Sequence, residues 1–227
     1  MNKILVVDIG GTHVKLLLEG SEQRMFDSGS KMQPTDFIAQ LEEHTRDWKF
    51  DNISIGFPSP VRGGKILKEP KHLGQGWVGF DFGKPSGKPV QVINDAAMQA
   101  LGSYHGGRML FLGLGTGLGS ALAFDKMLFP LELGDLPYRD PDIIENFLGI
   151  PGIERLGEDG WKREVIFAVT QLKKSFIADY VVLGGGNVHR FDQLPEGIER
   201  GKNENAFVGG VRLWETGAAG ERKWRIF

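Results

Sequence analysis

Two glycine turns and one aspartate carry most of the chemistry visible in this chain. The turns are Asp8-Ile9-Gly10-Gly11-Thr12 and Gly113-Leu114-Gly115-Thr116-Gly117-Leu118-Gly119. Glycine lets the main chain approach an anion closely, and successive N–H groups can then form a nest for phosphate oxygens. Each turn holds a threonine, Thr12 or Thr116, whose hydroxyl can donate to phosphate, and Lys15 lies just past the first. Asp8 closes the leading apolar run, a natural place for a Mg²⁺ ligand, directly or through water. Asp95 stands where a predicted strand gives way to a predicted helix. In phosphoryl transfer a carboxylate so placed accepts the acceptor hydroxyl's proton and orients its oxygen toward phosphorus. The Asn94-Asp95 pair would equally serve as a helix N-cap, and each turn alone could be an ordinary hairpin bend in a chain of 33 glycines.

The elements around these residues set the geometry. Ile4-Leu5-Val6-Val7 leads into the first turn, and Val14, Leu16 and Leu18 alternate after it, so the segment reads as strand, turn, strand. Met109 to Leu112 and Ala121 to Phe124 flank the second turn in the same way. Both turns therefore belong to β-hairpins, which argues against a Rossmann or Walker A loop, where a helix follows the glycines directly. Further strands are expected at 24–26, 52–56, 90–93 and 180–183, and helices at 35–48, 96–104, 161–176 and 205–215. A loop over 57–70 carries Arg62, Lys65 and Lys68, either steering a polyanion or simply solvated, and a second irregular stretch follows to Lys88.

Composition narrows the function classes. The chain has 227 residues, 41% hydrophobic and 25% charged, enough for one large or two small domains with a proper core. A net charge of −2 offers no basic field for nucleic acid, and no apolar run is long enough to cross a bilayer, so neither partner is expected. The first strand starts within a few residues of Met1, leaving no room for a signal peptide, and a cytoplasmic location is expected. Zero cysteines exclude disulfides, cysteine nucleophiles and thiolate zinc sites.

Glu132, Asp135 and Glu145 follow the second hairpin. Ionised carboxylates accept several hydrogen bonds at once and suit the vicinal hydroxyls of a sugar, although a solvated acidic surface has the same composition. Gly184-Gly185-Gly186 could admit a base and ribose against bare backbone, or be only a turn.

The ordered set Asp8-Ile9-Gly10-Gly11-Thr12, Asn94-Asp95-Ala96-Ala97, Gly115-Thr116-Gly117-Leu118-Gly119, Glu132-Leu133-Gly134 and Gly184-Gly185-Gly186 resembles the ROK family of sugar kinases, in particular its zinc-free polyphosphate glucokinase branch. Gly76-Trp77-Val78-Gly79, Gly152 to Gly157 and Phe207 to Trp214 fit the same branch. The resemblance implies an α/β actin/hexokinase-like (ribonuclease H-like) fold with two lobes and a cleft between them. The expected small lobe is 1–105, with a C-terminal helix over 206–227 packing back on it, and the large lobe is 106–205. By the same resemblance Asp95 is the general base on the 6-hydroxyl of glucose or a related hexose. Asn94, Glu132 and Glu145 would hold other hydroxyls. Asp8, Gly10, Gly11, Thr12 and Lys15, Gly115, Thr116, Gly117 and Gly119, and the turn Gly184, Gly185, Gly186 and Asn187 would bind a Mg²⁺-bound donor, ATP or polyphosphate, without zinc. A homodimer is common in the family.

Two positions depart from the family pattern. Asp135 stands where the family usually has His after Glu-x-Gly, and His72 where the related branch tends to have Asn. Both are expected to face the sugar. One expectation is that His72 and Asp135 pair across the pocket; another is that the extra carboxylate favours a sugar bearing an ammonium, such as glucosamine, with mannose a further alternative to glucose. Because the family also contains transcriptional repressors, a non-catalytic sugar sensor is the rival from another class. An actin-like ATPase would leave the Asn-Asp and Glu-x-Gly segments without a role.

Overall fold

The computed structural model describes residues 3–202, 204–217 and 219–227. One strand plan is used twice. The first sheet begins with the meander β1 (Ile4–Ile9), β2 (His13–Leu18) and β3 (Arg24–Asp27). Helix α1 (Pro34–Thr45) then leads to β4 (Asn52–Phe57), the small hairpin β5 (Val61–Arg62) and β6 (Lys65–Ile66), the turn-length helix α2 (Gly83–Ser86), and β7 (Val90–Asn94). The spatial order is β3-β2-β1-β4-β7, antiparallel from β3 to β1 and parallel from β1 to β7. All six residues of β4 are buried, as befits a central parallel strand covered on both faces.

Helix α3 (Asp95–Ser103) carries the chain to the second sheet, which opens with the meander β8 (Met109–Leu114), β9 (Leu118–Phe124) and β10 (Met127–Leu131). A short helix α4 (Glu145–Leu148) and the long α5 (Ile150–Ser175) then precede β11 (Tyr180–Gly184) and β12 (Ile198–Arg200). The order β10-β9-β8-β11-β12 repeats the first sheet. Helix α6 (Asn205–Arg212) follows, and a final strand β13 (Arg225–Ile226) adds to the free edge of β10.

Helices α3 and α6 lie between the sheets. Val6 of β1, Ala97 and Leu101 of α3, Phe111 of β8, Ala121 of β9 and Phe207 of α6 share one buried cluster. The two helices cross at glycines, because a Cβ on Gly102 would fall on the Asn205 carbonyl and one on Gly209 on the Met98 carbonyl. Ser54 of β4 pins α6 by donating to the Gly210 carbonyl at 2.6 Å, and Trp214 Nε1 donates to Ser54 Oγ at 2.8 Å.

Several element boundaries differ from the sequence expectation for local reasons. Helix α1 starts a residue earlier, with Pro34 in its first turn and Gln33 N donating to Asp36 Oδ2 at 3.0 Å, and ends at Thr45. Helix α5 begins at Ile150 rather than near Trp161; Gly157, at φ 66°, interrupts it and breaks the hydrophobic period that a sequence window measures. The expected helix over 206–227 ends at Arg212. Beyond it Gly217 and Gly220 are poor helix residues, a bridge joins Thr216 to Arg222, and Trp224 is buried beside β13 on the second sheet. Among the described residues no helix is long and apolar enough to cross a membrane.

Candidate active site

The site begins where two parallel strands of the first sheet end. Asp8 lies one residue before the end of β1, in register with Lys15 of β2 on one side and Gly56 of β4 on the other. A side chain at position 56 would meet α3, since a Cβ there lies 3.4 Å from the Asp95 Cα. Gly56 thus lets the first residue of α3 settle over the strand ends beside Asp8. Asn94 is the N-cap of α3: its Oδ1 accepts from Ala97 N at 3.0 Å, and its Nδ2 donates to the Ser59 carbonyl at 3.4 Å. Asn94 performs the capping role, which leaves Asp95 to point its carboxylate elsewhere, with one oxygen accepting from Ala96 N at 2.8 Å.

Burial and neighbouring charge both act on these carboxyls. Desolvation, then the charge of Asp8 and more weakly that of Glu132, push the Asp95 carboxyl up from 3.8 to about 7, against the lowering hydrogen bond from Ala96 N. Desolvation also raises Asp8, partly offset by the Lys15 ammonium. An acid whose ordinary range ends near 4 is therefore poised near neutrality, where a general base is most effective.

The glycine turns flank this pair. In the first, Gly10 N donates to the His13 carbonyl at 2.9 Å, and Ser28 holds both ends by donating from Oγ to the Gly10 carbonyl and from N to the Thr12 carbonyl. Thr12 is exposed at its tip. In the second, Gly115 N is shared between the carbonyls of Gly113 and Gly117, and Thr116 accepts at its carbonyl from Ile150 N at the start of α5, 3.0 Å away. Gly119 touches α3 directly: a Cβ there would lie 2.6 Å from that of Ala96, next to Asp95. Gly184 pairs in register with Gly113, Gly185 at φ 81° packs on Leu114, Gly186 is exposed, and Asn187 Nδ2 donates to the Gly115 carbonyl at 3.0 Å. The third glycine turn is thereby built onto the second.

The acidic residues that follow the second hairpin gather near one another, and Glu132 lies close enough for its charge to act on Asp95. Glu132 precedes a 3₁₀ turn, Leu133–Asp135, in which Asp135 N donates to the Glu132 carbonyl at 3.2 Å. Burial first, and the charge of Asp135 second, raise the Glu132 carboxyl, while Lys68 and Lys71 oppose this. Glu145, at the start of α4, is within 3.5 Å of Leu118 N through Oε2, and a Cβ on Gly117 would run into its carboxylate. The expected pairing of His72 with Asp135 is not formed. His72 instead stands on the first glycine turn, where a Cβ on Gly11 would come within 2.9 Å of its own Cβ. The neighbouring Lys71 reaches the acidic group, with Nζ 2.8 Å from Glu145 Oε1. Lys71 and Ser59 were not marked by any motif. Ser59 is buried, donates to the Lys68 carbonyl at 2.7 Å and receives Asn94, so it ties the loop to the start of α3.

Among the described residues no group of three or more His, Cys, Asp or Glu side chains is arranged to hold a metal. Asp8 is a hard-oxygen donor whose charge is unfavourably desolvated. Such a donor fits Mg²⁺, which takes one or two carboxylates and completes its shell with water and substrate phosphates.

No family model and no curated protein sequence matches the chain. Solved structures do. The inorganic polyphosphate/ATP-glucomannokinase from Arthrobacter sp. strain KM superposes with a TM-score of 0.79 at 22% identity, covering 93% of this chain and 97% of the other. A ROK family glucokinase from Streptomyces griseus, solved with glucose and AMPPNP, gives 0.72 at 15% identity over 93% and 98%. This chain has the fold of the ROK family sugar kinases. The ROK fold accounts for the duplicated sheet plan, two lobes of actin/hexokinase type that each carry one glycine hairpin. The same ROK fold is present in a transcriptional regulator homologous to the E. coli MLC protein, at a TM-score of 0.70 and 17% identity, over 92% of this chain and 76% of that one.

Proposed function

We propose that this chain is a sugar kinase that transfers the terminal phosphoryl group of a Mg²⁺-bound donor to the 6-hydroxyl of glucose or a near relative. The observation that carries this reading is the convergence of both glycine hairpins on Asp95, the first through Asp8 and Gly56 and the second through Gly119 and Ala96. Asp95 takes the proton of the 6-hydroxyl as that oxygen bonds to phosphorus, and the bond from phosphorus to the donor's bridging oxygen breaks. The amides of Gly11 and Gly117 hold donor phosphates in turns that Gly10 and Gly115 brace through their own N–H groups, with Thr12 and Thr116 adding hydroxyl donors. Bound Mg²⁺ would be held by Asp8, directly or through water, and supplies charge neutralisation on the donor phosphates. Asn94, Glu132 and Glu145 hold the remaining sugar hydroxyls. Asn187, tied to the second turn, supports a nucleotide donor, and the likeness to a polyphosphate/ATP kinase supports either donor.

The likeness to a transcriptional regulator favours a second reading, a sugar sensor without turnover, since a fold does not fix a function. One grid separates them: glucose, mannose and glucosamine against ATP and long-chain polyphosphate with Mg²⁺, followed by release of hexose 6-phosphate. Turnover with any pair is the expected result. Sugar binding without turnover under every donor would replace the kinase by the sensor.

A further inference from the structure

We infer that Lys71 is a specificity-determining residue: it occupies, from the protein itself, the place that a sugar ammonium would take in the acidic pocket, and so directs that pocket to neutral hexoses. The inference rests on the kinase reading above and opposes the expectation that an extra carboxylate near Glu132 and Glu145 selects an amino sugar.

The geometry is specific to this residue. Lys71 belongs to the loop that follows β6, on the first lobe, and Glu145 opens α4 on the second, so their 2.8 Å contact spans the cleft. The lysine side chain is 63% exposed and the carboxylate 25%, so a mobile ammonium reaches onto a more fixed anion. The two Glu145 oxygens face different partners, Oε1 toward Lys71 and Oε2 toward Leu118 N of the second glycine hairpin. A sugar hydroxyl can share such a carboxylate, because it brings no charge. An ammonium-bearing sugar must either expel Lys71 or lie beside a like charge, and built-in repulsion of that kind is an effective source of discrimination. The whole acidic group responds to this lysine, since Glu145, Asp135 and Glu132 all raise the Lys71 ammonium. Lys68 acts on Glu132 as well, so two lysines offset two of the three carboxylates. The pocket is therefore much less negative than its acidic residues alone suggest, and its sequence overstates its appetite for cations.

The test compares wild type, Lys71→Met and Lys71→Arg. For each, kcat/KM and donor-free binding are measured for glucose and for glucosamine at a pH where the amine is protonated. Lys71→Met should raise the glucosamine-to-glucose ratio on the order of tenfold in both measurements, the worth of one charge-assisted hydrogen bond released to the ligand. Lys71→Arg should keep the wild-type ratio. An unchanged ratio in Lys71→Met, with both sugars still bound, would overturn the inference and leave the kinase standing. A wild-type protein that neither binds nor phosphorylates either sugar would overturn both. Thermal unfolding of the variants confirms that an exposed side chain was changed without loss of fold.

Discussion

Replacing Asp95 by asparagine should lower activity and raise stability at once, with a pH dependence fixed by the same carboxyl. The amide keeps the shape and the acceptor for Ala96 N, but cannot take a proton from a sugar hydroxyl. Loss of a general base costs on the order of 10²–10⁴ in kcat. The folded-state carboxyl is raised from 3.8 to about 7, so the fold is penalised for ionising it. At low pH both folded and unfolded chains carry the protonated acid and the penalty is absent. It grows once the unfolded carboxyl ionises above about pH 4 and levels off above about pH 7, where the folded one ionises too. A shift of roughly three units corresponds to about 4 kcal/mol at the plateau. Part of that shift comes from the charge of Asp8 beside it, which adds to desolvation. Urea unfolding of wild type and Asp95→Asn between pH 4 and pH 8 should show the variant gaining stability progressively across that window. In wild type, kcat/KM should rise with pH through about 7. A variant with near-wild-type kcat, or a stability difference that does not change with pH, would refute the assignment of Asp95 as a desolvated base.

Two further substitutions test the scaffold. Asn94→Ala removes the cap of α3 and the bond to Ser59, and should cost about 0.5–2 kcal/mol in a urea titration; unchanged stability would show that Asn94 is not the working cap. Gly209→Ala improves helix propensity by about 1 kcal/mol but forces a methyl onto the Met98 carbonyl at the α3–α6 crossing. Overpacking of about 1–3 kcal/mol should prevail and lower the Tm, whereas a higher Tm would mean that the two helices are free to separate.

The two glycine turns were legible in the sequence because they depend on local rules. Glycines between apolar strands dictate hairpins whatever lies around them, and an Asn-Asp pair after a β-branched run marks a helix start. The repetition of that plan was also visible, since β1–β2 and β8–β9 are each built within a few residues of contiguous chain. The end of α6 and the start of α5 were less so. One is decided by β13 joining β10 and by the burial of Trp224, the other by the non-helical Gly157, which divides α5 into two helical pieces.

What the sequence determined by itself is thus the strands that flank the two glycine turns, the turns themselves and the aspartate between them, because backbone conformation and hydrophobic alternation are short-range, whereas the short strands β5, β6, β12 and β13 went unread. Tertiary structure alone decided which groups meet. Gly56 and Gly119 place Asp95 against both lobes through contacts made by atoms distant in the chain. Lys71 meets Glu145, rather than His72 meeting Asp135, because the loop carrying both residues packs His72 onto Gly11 and leaves the lysine free to cross the cleft. Charge pairing across a cleft depends on distances of a few ångströms between segments 74 residues apart, and no spacing rule along the chain encodes them.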